Sequence, residues 1–300
     1  MRSTMKQIYV DKNVRIFSGE EAKRALREKN DLSFVDEGEG VVAVPRERWE
    51  EAQYAERLHW MERGYKSIED RNDYHESAFE DYGALQGRTF GHALEMGCGP
   101  FTNLRIIGKH CTIERCSLLD PLIGEYVSHP NCTYDRNNLY LAQRLSRKTI
   151  INMVLGRYFT PLYNSLRKRL NPTIPVAALL ACPVEQMPVD QTYDLVCIIN
   201  VIEHCYDTNL VFANILKVLK PGGVIVFHDR YYDHDEVLDI VQNQYDAAHP
   251  LKVDRRRIDS FLSDNFEPLF RQVTHNCSMA DGIDDVIAYD ELYFIGARTR

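Results

Sequence analysis

With 300 residues, 44% of them hydrophobic and 27% charged, the chain is long enough to bury a sizeable core and too ordinary in composition for a disordered or fibrous protein. Its net charge of −8 argues against a surface built chiefly to hold nucleic acid, and no apolar run reaches the roughly 18 residues of a membrane span. Met1–Lys6 is not followed by the apolar stretch of a secretory signal, and the eight cysteines form no CxxC pair. We therefore expect a cytoplasmic protein with reduced, buried thiols and no structural zinc site.

Residues 1–92 are polar and read as an N-terminal helical cap, helical from about Glu20 onward. Trp49, Tyr54, Leu58, Met61 and Tyr65 recur at amphipathic spacing across Glu47–Glu69, and Gly40–Pro45 has the makings of a short strand. From Ala93 to residue 300 the pattern alternates. Strands are expected at His92–Met96, Cys116–Leu119, Val176–Ala181, Leu195–Ile199 and Val224–His228, with helices at Asn103–Lys109 and Asn209–Leu219. Glu267–His275 and Glu291–Arg298 read as an antiparallel pair closing one edge. The rhythm is that of an α/β domain, a Rossmann-like, seven-stranded, mostly parallel sheet with helices on both faces.

The 55 residues between Asp120 and Val176 are too many for a simple crossover. Residues 131–172 hold eight cations, among them Arg157, Arg167, Lys168 and Arg169, against Asp135 alone, a net of +7. Large apolar residues such as Met153, Leu155, Phe159 and Tyr163 interleave with them. This is read as an inserted basic helical lid over the acceptor, and peripheral contact with an anionic membrane surface is the other use such a segment suits.

The chemistry concentrates at strand ends. Glu95-Met96-Gly97-Cys98-Gly99 follows an apolar strand and precedes a helix, where glycines allow a sharp turn and a close backbone approach to a ligand. Asp120 ends the next strand, 21 residues after Gly99, where a carboxylate can take both hydroxyls of a ribose. Pro183–Pro188 follows the third strand, Tyr193–Asn200 forms the fourth, and Lys217–Gly223 turns a helix into the fifth.

Together these motifs resemble the class I S-adenosylmethionine (SAM)-dependent methyltransferases, in particular the ubiquinone/menaquinone-methyltransferase-like branch. The resemblance covers Ala93–His228. It implies SAM as cofactor, with Glu95, Gly97, Cys98 and Gly99 around its amino-acid end, Asp120 and Pro121 at the ribose, and Val184 and Glu185 at the adenine. Asn200 joins the cofactor set, and Asn200-Val201-Ile202-Glu203-His204 resembles the stretch beside the transferred methyl. Two positions depart from the family's pattern: Phe101 or Thr102 replaces its third glycine, and Pro183 stands where an aspartate often meets the adenine amine.

The implied reaction is in-line displacement of the sulfonium methyl by a small-molecule acceptor, anionic or lipid- or glycan-like, with O-, N- and C-methylation all open. For a hydroxyl acceptor, His228 and His204 are the candidate general bases. No metal is expected, since Asp233-His234-Asp235-Glu236 reads as a solvated loop capping a helix. Two other readings share the motifs: an NAD-dependent oxidoreductase, and a SAM-binding regulatory protein without activity.

Overall fold

Side-chain alternation along the inner strands sorts the apolar residues into two cores on opposite faces of one sheet. The computed structural model describes residues 7–9, 14–17, 35–36, 39–63, 72–129, 132–141, 172–279 and 286–299. The sheet is built from β1 (Ala93–Met96), β2 (Cys116–Leu119), β3 (Asn138–Tyr140), β4 (Thr173–Leu180), β5 (Tyr193–Ile199), β6 (Leu219–Arg230), β7 (Phe266–Met279) and β8 (Val286–Arg298). Their order is β7-β8-β6-β5-β1-β2-β4-β3. The five strands from β6 to β4 are mutually parallel, and β8, β7 and β3 are antiparallel to their neighbours. On β5, Leu195, Cys197 and Ile199 enter one core while Val196 and Ile198 enter the other.

Sequence spacing predicts seven strands, and the eighth is β3. Its residues pair with Thr173–Pro175 at the sheet edge, so the start of the expected lid is not helical but part of the domain. Cys132, Tyr134 and Leu139 are buried in the second core. The rest of the basic insertion, 142–171, lies outside the described residues.

The N-terminal segment also departs from a purely helical cap. Gln7–Tyr9 pairs with Val14–Phe17, which pairs in turn with Gln244–Asp246. Val35–Asp36 and Gly40–Val41 form a second small sheet with Lys252–Val253. Helix α1 (Arg46–Arg57) starts after Pro45, whose φ of −57° already suits a helical entry, and runs on into a π-helical turn at Leu58–Arg63. It buries Trp49 and Ala52, whereas Tyr54, expected on the packed stripe, is 60% exposed.

Among the described residues the remaining α-helices are α2 (Asn72–Ala78), α3 (Leu104–Ile107), α4 (Ile123–Tyr126), α5 (Thr208–Val218), α6 (His234–Asn243) and α7 (Arg255–Asn265). Asp207 and Asp254 cap α5 and α7 by accepting from backbone N–H groups of their first turns. Asp233 and Glu236 form a reciprocal capping box at α6, which bears out the bland reading of that acidic run. On one face, the rings of Phe212 in α5 and Phe261 in α7 stack at 3.9 Å. On the other, Phe79, Leu104 and Ile107 fill the second core. Each such side chain contributes about 1.5–3 kcal/mol by leaving water. Among the described residues no helix is long and apolar enough to cross a membrane.

The chain starts the parallel sheet at β1, adds β2 and β4 on one side, and then crosses back to add β5 and β6 on the other. The crossovers that follow β1 and β5 therefore leave the carboxyl ends of the strands in opposite directions, and a crevice opens above the point where their first turns meet.

Candidate active site

That crevice is a cavity of about 260 Å³. Its floor is the glycine turn. Gly97 and Gly99 have φ of +64° and +51°, a left-handed conformation that side chains resist. A Cβ at Gly97 would lie 2.5 Å from Val201 Cγ2, so the turn is pressed against the loop after β5. A Cβ at Gly99 would meet nothing within 4 Å. Glu95 sits beneath the turn, 1% exposed, and accepts from Asn103 N at 2.6 Å and Leu104 N at 3.1 Å. Burial raises its carboxyl to about 7 against those donors. Tyr134 braces the same turn by donating to Gly99 O at 2.9 Å, and Cys98 Sγ donates to Tyr134 Oη at 3.6 Å.

Asp120 closes the end of β2. Its Oδ2 accepts from Gly99 N at 3.1 Å and its Oδ1 from Leu122 N at 2.8 Å, one donor per oxygen, which leaves lone pairs toward the cavity it lines. Burial raises it to about 6. Glu185, after β4, uses Oε1 to hold Tyr206 N at 2.5 Å and Asp207 N at 3.0 Å. Its Oε2 is buried without a hydrogen-bond partner although the residue lines the cavity. A buried acceptor left so is costly unless a ligand donates to it. Pro121 and Val184 line the same wall.

The loop after β5 forms the next side. Asn200 adopts a φ of +58° and lines the cavity. Asp229, 1% exposed on β6, fixes the turn beyond Asn200 by accepting from Val201 N at 3.1 Å and Ile202 N at 2.7 Å. Glu203 points away into a buried network, bound to Lys252 Nζ at 2.8 Å and Arg230 Nε at 3.1 Å. Burial would raise its carboxyl, but Arg230 and Lys252 outweigh that and hold it at about 2. Helix α1 roofs the site: Trp49 Nε1 and Gln53 Nε2 donate to His204 O, and Trp49, Trp60, Phe101 and His75 face the cavity.

Residues 132–227 match the family described as "Methyltransferase domain", from just before β3 through most of β6. Over those residues the chain matches a methyltransferase domain, on a fold of the kind class I SAM-dependent methyltransferases share. The match sets the oxidoreductase reading aside. It is to the superfamily, and the ubiquinone-like branch is not singled out by it. No protein of curated function matches the chain in sequence. Among solved structures, the N-methyltransferase NodS from Bradyrhizobium japonicum WM9, in complex with S-adenosyl-L-homocysteine, is 15% identical with a TM-score of 0.50, over 83% of this chain and 99% of that one. Phosphoethanolamine N-methyltransferase 2 of Haemonchus contortus, in complex with SAM, is 12% identical with a TM-score of 0.48, over 83% and 60% of the two chains. The 1,6-didemethyltoxoflavin-N1-methyltransferase of Burkholderia thailandensis is 12% identical with a TM-score of 0.40, over 98% and 100%.

Gly97, Cys98, Gly99, Asp120, Pro121, Val184, Glu185, Asn200 and His204 all line the cavity. Two residues correct the sequence reading. Glu95 does not line it, because its carboxylate is spent on the first N–H groups of α3. His228 does not either: on β6 it shares the face of Val224 and Val226, its ring 4.3 Å from Tyr293 and its Nε2 3.7 Å from Glu291 Oε2, beyond hydrogen-bond reach. His75, 4.6 Å from the His228 ring, is the histidine that reaches the cavity there, and burial first, then His228, lowers it to about 3. His204 keeps its place. Burial lowers its pKa, and its Nδ1 donates to Ala248 O at 3.2 Å. Sequence reasoning misses Glu56, His75, Tyr134, Arg230 and His249; all but Tyr134 line the cavity, and no local motif marks any of them.

Proposed function

We propose that the cavity holds SAM along its glycine, Asp120 and Glu185 wall and a small-molecule acceptor against α1. The observation that carries this reading is the pair of acceptors lining one wall: Asp120, with a lone pair on each oxygen, and Glu185 Oε2, buried without a donor. They suit a ligand presenting a vicinal diol and, beyond it, an amine, which is the ribose and adenine of a nucleoside. The open space over Gly99 accepts the amino-acid end.

Bound there, SAM supplies a methyl group already made electrophilic by its sulfonium. The chain's own task is to orient and to exclude water. Asn200 and the turn at Val201 lie between the cofactor wall and the roof, so the transferred methyl belongs beside them. Trp49, Trp60 and Phe101 offer an apolar surface to the body of the acceptor, and Arg230 a cation at the same wall. His204, held neutral by burial, is the general base for an acceptor that must lose a proton.

Calorimetric titration of the full chain with S-adenosylhomocysteine tests the reading. Asp120→Ala should weaken binding at least about tenfold, as loss of charge-assisted hydrogen bonds worth roughly 1.5–3 kcal/mol each requires, without unfolding the protein. Unchanged affinity would remove Asp120 from the site, and no binding to the unmodified chain would remove the cofactor assignment.

A further inference from the structure

One side of the cavity carries a constellation of which the methyl-transfer reading uses only His204, and that only where no metal occupies its Nε2. Glu56, from α1, His204, after β5, and His249, after Gln244–Asp246, all line it, and one potential ligand atom from each falls within 4.8 Å of the others. They converge without satisfying one another. Glu56 Oε1 stands 3.7 Å from His204 Nδ1, too far for a hydrogen bond, and the two imidazoles lie 4.4 Å apart, tilted by 53°.

Each already has one polar partner. Trp60 Nε1 donates to Glu56 Oε2 at 3.0 Å, leaving Oε1 toward the histidines. His204 Nδ1 faces a backbone carbonyl, Ala248 O, and must therefore be the protonated nitrogen. His249 Nδ1 faces Asp246 Oδ2 at 2.7 Å, and that carboxylate oxygen also takes Lys252 Nζ at 3.4 Å, so it is an acceptor and Nδ1 donates there too. In the neutral form of each ring Nε2 keeps the lone pair. A carboxylate behind one ring and a carbonyl behind another are the supports that orient imidazoles for a metal. The two neighbouring cations, Lys252 and Arg230, are matched by two carboxylates, Glu203 and Asp246.

We propose that Glu56, His204 and His249 bind a divalent transition-metal cation at the acceptor end of the cavity. Two imidazoles and one carboxylate form the ligand set of open zinc sites, in which a fourth position remains for water or substrate, and imidazole selects zinc over magnesium or calcium. The acceptor class this implies is a molecule with an oxygen able to take that fourth position. The acceptor clause rests on the methyl-transfer reading, whereas metal binding itself does not.

The test is calorimetric titration of the metal-stripped full chain with zinc chloride, and separately with magnesium chloride. Zinc should bind at one site per chain and magnesium at none of comparable strength. Glu56→Gln, which keeps the side chain's size at a part-exposed helix position, and His249→Ala should each weaken zinc at least about tenfold. His275→Ala, whose side chain is 66% exposed on a remote strand, should leave zinc affinity unchanged. Cobalt(II) as a visible-light probe should give a ligand-field spectrum that both site variants alter. Absence of zinc binding, or zinc binding that neither Glu56→Gln nor His249→Ala moves, overturns the site. S-adenosylhomocysteine is titrated alongside: zinc without it sinks the methyl-transfer reading alone, and the reverse sinks the metal alone.

Discussion

Gly97 and Val201 touch across the two halves of the sheet, so closely that a Cβ on the glycine would lie 2.5 Å from Val201 Cγ2. The contact joins the turn after β1 to the turn after β5, the two loops that flank the crevice. Gly97→Ala should cost about 2–5 kcal/mol, combining roughly 1–2 for the left-handed backbone with roughly 1–3 for overpacking. In the background of Val201→Ala the same change should cost less by at least about 1 kcal/mol, because the clash partner is gone. Urea unfolding of the four proteins measures this, and strictly additive losses would show that the contact is not what excludes the side chain.

Gly99 should behave differently. Its Cβ position is open, so Gly99→Ala should lose only the roughly 1–2 kcal/mol of backbone strain. The added methyl would stand in the space assigned to the cofactor, and affinity for S-adenosylhomocysteine should fall by about tenfold. If affinity is retained while stability drops, the cofactor does not approach Gly99.

For Glu185 the prediction turns on which oxygen is already used. Oε1 must go on accepting from Tyr206 and Asp207, so Glu185→Gln places its NH₂ where Oε2 now lies. A donor would then face the adenine amine. Affinity for S-adenosylhomocysteine should drop at least about tenfold with little change in unfolding midpoint. A variant that binds as well as the parent would exclude Oε2 as the amine's partner.

Stability should peak in mild acid. Burial raises Glu95 to about 7 and Asp120 and Asp229 to about 6, from ordinary values of 4.5 and 3.8. Between those values and the raised ones the folded chain binds more protons than the unfolded one, so stability falls as pH rises from about 4 to 7. At about 1.4 kcal/mol per pH unit per group, the expected loss is several kcal/mol. Glu203 works the other way: held at about 2 by Arg230 and Lys252, it stabilises fully above its ordinary 4.5 and loses this as pH falls toward 2. Urea unfolding from pH 3 to 8 should show the maximum, and Glu95→Gln should flatten the limb above pH 4. A monotonic rise to pH 8 would mean that the buried acids ionise freely.

Much of this domain is legible in the sequence alone. Period-two apolar runs locate the parallel strands, and a glycine turn followed by an acid one strand later locates Asp120, because both depend on neighbours a few residues away. Glu95 shows the limit of spacing: a carboxylate before a glycine turn can face a ligand or cap the next helix, and only three dimensions decide. His228 is a matter of parity, since it alternates with Phe227 and so shares the face of Val226, away from the cavity. Tyr134 is hidden inside a segment whose charge suggests a lid. Glu56 and His249 are out of reach, because they arrive at the site through contacts such as Trp49 with His204, 155 residues apart.

The pairings of Val14–Phe17 with Gln244–Asp246 and of Gly40–Val41 with Lys252–Val253 lash the start of the chain to either side of His249. The wall assigned to the cofactor is built from strand ends of the central sheet, while much of the opposite wall hangs on this peripheral lashing. On the function proposed above, changes in the described part of this segment, 14–17 or 39–57, should alter acceptor use more than the hold on the methyl donor. A tag, truncation or fusion at that end is then expected to shift acceptor use rather than cofactor affinity.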